Sequence, residues 1–336
     1  MKEENNGLVQ VRTPTYRRPE ALTRCLNSLQ AQSWKNWICN VYDDDPDGSA
    51  EAVCRRLGDS RIVYTRNEPQ KFASKNIDQC FSLTNANDAD YFCVVEDDNS
   101  ILESFFESNI GIIREQGVEI VLRNQLIEHR SGTPDAYLSE TGILDDLFRE
   151  GIYTPEKFRL ALMIGIGVSN GGLFWTRSTR CPLEIQYSCT ATLQEYMRTF
   201  SICEPIYVAM EPLAVWAENA EQTTRNAELR SGYLRRELDL KKAVRTLQRV
   251  SWEKAAEADK LNFMSDKAFT AAPENRAKGI AKALPLHRYG GRLGARERIE
   301  LTLRGLMIDL IGKTTDDFDA FVTSRLTADG ETRQSS

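Results

Sequence analysis

Long apolar runs are missing from this 336-residue chain: the longest, Leu160 to Val168, covers nine residues, too few to cross a bilayer. No basic stretch followed by an apolar one opens the sequence, so no secretion signal is read there. The eight cysteines form no Cys-x-x-Cys pair and several sit inside apolar segments, which is the pattern of reduced core thiols and makes the cytoplasm the expected location. No basic-aromatic patch is present, so no nucleic-acid partner is expected. Thr13-Pro14-Thr15-Tyr16 follows the first strand where a nucleotidyltransferase needs a glycine-rich, basic phosphate loop. Gly165-Ile166-Gly167 does not begin a dinucleotide fingerprint, because position 170 is Asn and no acid follows at the required distance. No internal repeat is detectable.

What is present is acid at the tips of apolar strands. Tyr91-Phe92-Cys93-Val94-Val95 reads as a buried central strand and runs into Glu96-Asp97-Asp98-Asn99. Carboxylates at such a place are costly unless a cation or a hydrogen-bonding ligand satisfies them. The carboxyl ends of parallel strands are where open α/β sheets bind ligands. Trp37 to Tyr42 is a second strand with an acidic end, Asp43-Asp44-Asp45-Pro46-Asp47. Between the strands Leu8 to Val11 and Trp37 to Tyr42, the residues Leu22, Cys25, Leu26 and Leu29 fall on one helical face, with Pro19 suited to the first turn. A helix over 50–57 and a strand over 61–64 complete a strand-helix-strand-helix-strand order, which predicts parallel pairing with right-handed crossovers. Two acidic tips then reach one sheet edge, and a metal-bridged phosphate ligand suits them, since Mg²⁺ takes one or two carboxylates plus phosphate oxygens.

The segments Val11-Arg12-Thr13-Pro14-Thr15-Tyr16-Arg17-Arg18-Pro19, Ser28-Leu29-Gln30-Ala31-Gln32-Ser33-Trp34 and Val41-Tyr42-Asp43-Asp44 together resemble the opening of the family 2 glycosyltransferases. The resemblance covers residues 7–218. It implies a GT-A fold (α/β, Rossmann-like, with a mostly parallel central sheet flanked by helices) and inverting transfer from a nucleotide-diphosphate sugar. It implies that Thr13, Pro14, Tyr16 and Asp43 hold the nucleotide base, an Asp at position 43 favouring uridine and hence a UDP-sugar. By the same resemblance Asp97 meets the ribose and Asp98 ligates Mg²⁺ or Mn²⁺, although Glu96-Asp97-Asp98 departs from the usual Asp-x-Asp and leaves open which acid meets the metal. Phe72-Ala73-Ser74-Lys75-Asn76 is similar to the family's Ala-Arg-Asn, placing Lys75 and Asn76 at the donor, with Lys for Arg giving up bidentate geometry. Ser169-Asn170-Gly171-Gly172 resembles the segment beside the donor sugar, with Gly171 and Gly172 allowing close backbone approach. Thr192-Leu193-Gln194-Glu195 stands where the family begins a helix with two acids, the second being the general base; that residue is Glu195, and Gln194 replaces the first. Some metal-dependent relatives carry a later His, whereas this chain has only His129 and His287. The implied acceptor is a hydroxyl of a glycan, lipid-linked or other molecule. The alternative is a catalytically silent sugar-nucleotide-binding or assembly module, suggested by Gln194, Lys75 and the altered acid triplet.

Helices are expected near 143–149 and 155–163, in a stretch too long for a plain loop. Two units are expected, a catalytic domain over 1–220 and a helix-rich extension over 221–336. The extension holds 22 Lys and Arg against 17 Asp and Glu, a net of +5; with −6 for the whole chain, residues 1–220 carry −11. Ile299, Leu303, Leu306, Met307, Leu310 and Ile311 make one helical stripe, expected to be covered by the catalytic domain or by a second subunit, or to lie on an anionic membrane surface. The last dozen residues read as a frayed tail.

Overall fold

The computed structural model describes residues 7–219, 233–265, 268–284, 287–289 and 293–334, with backbone alone for a few at element ends. Its first half alternates as expected. β1 (Val9–Thr15), α1 (Pro19–Gln30), β2 (Trp37–Asp43), α2 (Ser49–Leu57), β3 (Ile62–Arg66), α3 (Phe72–Gln79) and β4 (Tyr91–Val94) follow in order. β3, β2, β1 and β4 lie side by side and all pair in parallel. β1 is buried along its whole length because it is central, whereas β2 buries alternate residues, Trp37, Cys39, Val41 and Asp43. α1 buries the four residues the periodicity marks, Leu22, Cys25, Leu26 and Leu29.

The chain continues through β5 (Ser100–Ile101), α4 (Phe105–Gln116), β6 (Ile120–Ser131), β7 (Tyr137–Leu138), β8 (Gly151–Tyr153), α5 (Pro155–Arg159), β9 (Leu173–Thr176), α6 (Ala191–Ser201) and β10 (Ile206–Asn219). β9 lies antiparallel to both β4 and β6, so the sheet is mixed beyond β4. β10 passes Pro212 without ending, because its register on β6 jumps between Ala209 and Ala214, and a proline is tolerated at such a bulge. The helix expected over 143–149 does not form. Asn124 Oδ1 accepts the Leu144 N–H (2.9 Å) and Asp145 accepts the Gly142 N–H (2.7 Å), so side chains hold the backbone in consecutive turns. Over 155–163 the chain makes α5 and then a 3₁₀ turn, Leu160–Met163.

α7 (Tyr233–Lys254), α8 (Glu257–Met264), α9 (Pro273–Ala283), α10 (Ala295–Ile311) and α11 (Asp316–Gln334) follow; α11 runs through most of the segment read as a tail. α1, α2 and α4 cover one face of the sheet with Leu26, Val53, Phe106 and Ile110. On the other face Val94, Ile120 and Trp175 share a core with Trp252, Phe263 and Ile280 from the C-terminal helices and with Phe269 between α8 and α9. Leu247, Phe318 and Phe321 pack with Met197 and Phe200 of α6. α10 buries only Leu301 and Gly305. Its outer stripe is bare: Ile299 and Leu303 are each 61% exposed and Leu310 is 85% exposed. Residues 7–219 therefore leave it uncovered.

Candidate active site

Because β1, β2 and β4 are parallel neighbours, their carboxyl ends bring Thr15, Asp43 and Glu96 to one edge. At that edge Thr15 Oγ1 donates to Asp97 (2.7 Å) and the Tyr16 N–H reaches the same oxygen (3.4 Å). The Arg18 guanidinium lies 3.4 Å from Asp97 and also donates to Asp98. Asn99 fixes the loop from below, donating to Glu96 (3.1 Å) and accepting the Ala217 N–H of β10 (3.0 Å). Burial, reinforced by Asp98, pushes Glu96 up to about 8 and Asp97 up to about 7. Three acids with overlapping fields thus share one pocket edge, and Arg18 offsets part of their repulsion. Nothing in the residue pattern around Arg18 distinguished it from its neighbour Arg17, which instead pairs with Asp45 (3.0 Å) and Asp47 (3.0 Å).

Of the four residues expected at the nucleotide base, only Tyr16 meets solvent, at 43% exposure; Thr13, Pro14 and Asp43 are buried. Asp43 accepts the N–H groups of Asp45 (3.0 Å) and Ala50 (3.1 Å) and the Tyr64 hydroxyl (3.3 Å), so in this structure it holds the acidic loop and the first turn of α2. Asn76 is also buried. Its amide donates to the carbonyls of Thr15 (3.3 Å) and Tyr42 (3.2 Å), tying together the ends of β1 and β2. Lys75, one position earlier on α3, is exposed.

The other wall is organised by Asn170. Its side-chain amide bonds Glu96, its backbone N–H bonds Glu195, and its Oδ1 accepts from Arg198 (2.8 Å). Glu195 lies in the first turns of α6, which Thr190 caps by accepting the Leu193 N–H (3.3 Å). Burial pushes the Glu195 carboxyl up to about 7, against the opposing pull of Arg198 and of the Asn170 N–H. Arg198 is fully buried. It donates to Leu183 O (3.1 Å) and Asp78 (2.8 Å) and lies 3.8 Å from the Phe81 ring centroid. Gln194 is fully buried, and neither atom of its amide meets a partner among the described residues. Gly171 and Gly172 form a short 3₁₀ turn leading into β9. A Cβ at Gly172 would lie 2.5 Å from the Arg123 carbonyl oxygen, and one at Gly171 2.8 Å from Gln125 Nε2. The glycine requirement here is set first by packing on β6.

The edge thus brings together Tyr16, Arg18, Glu96, Asp97, Asp98, Asn170 and Glu195. It places Asp43, Asn76 and Gly172 behind them as supports. Among the described residues no three Asp, Glu, His or Cys converge as an all-protein metal cage. Asn170 and Arg198 both lie inside segments that the sequence marks, but their partners are far away in the chain, and no spacing rule points to such pairs.

Residues 11–172 match the family model described as Glycosyl transferase family 2. Among solved structures, S. aureus TarS 1-349 in complex with UDP aligns with TM-score 0.54 at 13% identity, over 98% of this chain and 92% of that one. The same TarS segment in complex with UDP-GlcNAc gives 0.50 at 13% identity, over 97% and 92%. A longer S. aureus TarS chain gives 0.51 at 11% identity over 96% of this chain, which spans only 53% of that relative's length. No curated protein sequence matches the chain.

Proposed function

Residues 11–172 are a family 2 glycosyltransferase domain, and from that premise we propose that the chain moves a sugar, with inversion, from a UDP-sugar to an acceptor hydroxyl. The observation that carries the reading is Glu195: a half-buried carboxyl held by Asn170, raised to about 7, in the same cluster as Glu96 to Asp98. A group poised near neutrality can accept a proton and still exist largely as carboxylate at pH 8. The acceptor oxygen attacks the anomeric carbon, the bond from that carbon to the diphosphate oxygen breaks with its electrons, and Glu195 takes the hydroxyl proton. The TarS complexes with UDP and UDP-GlcNAc support the donor class.

In this reading Tyr16 packs on the base, Asp97 meets the ribose, and Thr13, Pro14, Asp43 and Asn76 shape the floor beneath. Lys75 is the cation that α3 offers toward the phosphates. Gly171 and Gly172 let the backbone pass close to the sugar. Asp98, with Asp97 and Glu96 beside it, offers hard oxygen donors whose mutual repulsion a cation relieves, so the donor set fits Mg²⁺ or Mn²⁺. Bound there, such an ion supplies Lewis-acid stabilisation to the leaving diphosphate. Arg18, which holds Asp97 and Asp98, would stand beside the phosphates as a further cation.

No helix among the described residues is long and apolar enough to cross a membrane, and we place the enzyme in the cytoplasm. The bare stripe of α10 supports self-association there, with peripheral membrane attachment the outcome that vesicle sedimentation would show instead. The test of the whole proposal is a thermal-shift titration with UDP and UDP-GlcNAc, with and without Mn²⁺, followed by UDP release. Stabilisation that requires Mn²⁺ supports it. Binding without turnover for any acceptor class points to the silent module, and absence of any nucleotide effect refutes the donor assignment.

A further inference from the structure

A cavity of about 770 Å³ lies against the Glu195 helix. α6 supplies Thr192 and Tyr196 to its wall, the residues three before and one after Glu195. The 3₁₀ turn Leu160–Met163 supplies Leu162, and α7, α9 and α10 close the remaining sides. This size is that of sites for small organic ligands.

Its lining has two characters. Leu162, Leu240, Val244 and Ile308 make an apolar floor. Five cations and two acids, Asp146 and Glu237, enter it as well, a net of +3. Three of the cations are already engaged: Arg245 pairs with Asp309 (2.9 Å), Arg304 with Glu300 (2.6 Å), and Lys278 with Glu274 (2.7 Å) and Glu297 (3.2 Å). Lys241 has only a 3.8 Å contact with Glu237, and Lys282 is exposed with no ion pair among the described residues. One ammonium group unpaired among the described residues, Lys282, and one held only loosely, Lys241, therefore stand at the edge of a hydrocarbon-lined space. Lysine binds phosphate as a compact point charge, and the floor gains free energy by removing apolar surface from water.

We propose that this cleft binds an amphiphilic phosphate, its hydrocarbon on the Leu240 and Val244 floor and its anion between Lys241 and Lys282. The further step, that such a molecule is the acceptor delivered past Thr192 and Tyr196 to Glu195, rests on the transferase reading. The cleft itself does not.

The test is calorimetric titration of the full chain with dodecyl phosphate below its micelle concentration, with inorganic phosphate and dodecyl maltoside as controls. The expected result is one-to-one binding of dodecyl phosphate at least tenfold tighter than either control. Lys241→Glu with Lys282→Glu should weaken it at least tenfold and leave UDP affinity within twofold of wild type. Equal binding of dodecyl maltoside would overturn the anion site, and equal binding of inorganic phosphate would overturn the apolar floor. Unchanged binding by the double variant would put the ligand elsewhere and overturn the assignment. UDP affinity keeps the two readings separate: a chain that binds dodecyl phosphate in this way but no UDP refutes the transferase alone, and one that binds UDP but no dodecyl phosphate refutes the cleft alone.

Discussion

Replacing Glu195 by glutamine should move activity and stability in opposite directions. Holding this half-buried carboxyl at about 7 against an ordinary 4.5 corresponds to about 3 kcal/mol, at roughly 1.4 kcal/mol per pH unit. The folded state therefore binds a proton that the unfolded chain has lost between about pH 4.5 and 7. Stability contributed by the protonated form is complete below 4.5, declines as pH rises through 7, and is absent above it. Glutamine keeps the shape and carries no charge. Relative to wild type, E195Q should gain about 3 kcal/mol on going from pH 4.5 to pH 8, part of it through relief of the neighbouring Glu96. Transfer should fall by about 10²–10⁴, the usual contribution of a positioned base, and wild-type turnover should itself decline below pH 7. Urea unfolding at the two pH values gives the first quantity, and UDP release from a UDP-sugar the second. A stability difference that does not change with pH would refute the burial argument. Near-normal turnover would refute the base assignment and turn attention to Asp146, the acid on the cleft wall.

Asp98→Ala should reduce UDP affinity measured with Mn²⁺ to the level measured without it; equal loss in the presence and absence of metal would show that Asp98 serves only to hold Arg18. Gly172→Ala should destabilise the fold by about 1–3 kcal/mol, because its methyl meets the Arg123 carbonyl oxygen rather than a movable side chain; a denaturation midpoint like that of wild type would contradict the packing described for β9 and β6. Removing residues 291–336 strips Phe318 and Phe321 from Met197, Phe200 and Leu247, so the product should unfold at a lower temperature; a deletion with unchanged melting temperature and mass would show that these helices neither pack nor associate.

The acidic edge was legible because two local signals coincide there: apolar runs of strand length, and acids immediately after them. β1, β2 and β4 and the burial of Leu22, Cys25, Leu26 and Leu29 followed from periodicity alone. The turns around Asp145 were not legible, since they depend on Asn124, about twenty residues away on β6. Nor was the burial of Asp43, whose oxygens are taken up by its own loop and by Tyr64 of β3. The charge reversal near residue 220 is genuine in the sequence. It gave no sign that Trp252, Phe263 and Ile280 would complete the core under β4 and β6. Charge patterning reports on surfaces, whereas that core is settled by shape.

α3 is eight residues long, yet it is attached at both walls of the candidate site. Asn76 holds the carbonyls at the tips of β1 and β2, while Asp78 accepts Arg198 of α6 and the N–H groups of Ile185 (2.9 Å) and Gln186 (2.8 Å). A short crossbeam of this kind makes the acidic strand edge and the Glu195 helix a single mechanical part. Variation that retunes which acceptor is used must then come from pieces hung outside the beam. α7 is such a piece, packing on the Glu195 helix, and α9 and α10 pack on α7 in turn. In the proposed reading, exchange of those helices would change the acceptor and leave the beam and the strands it joins untouched.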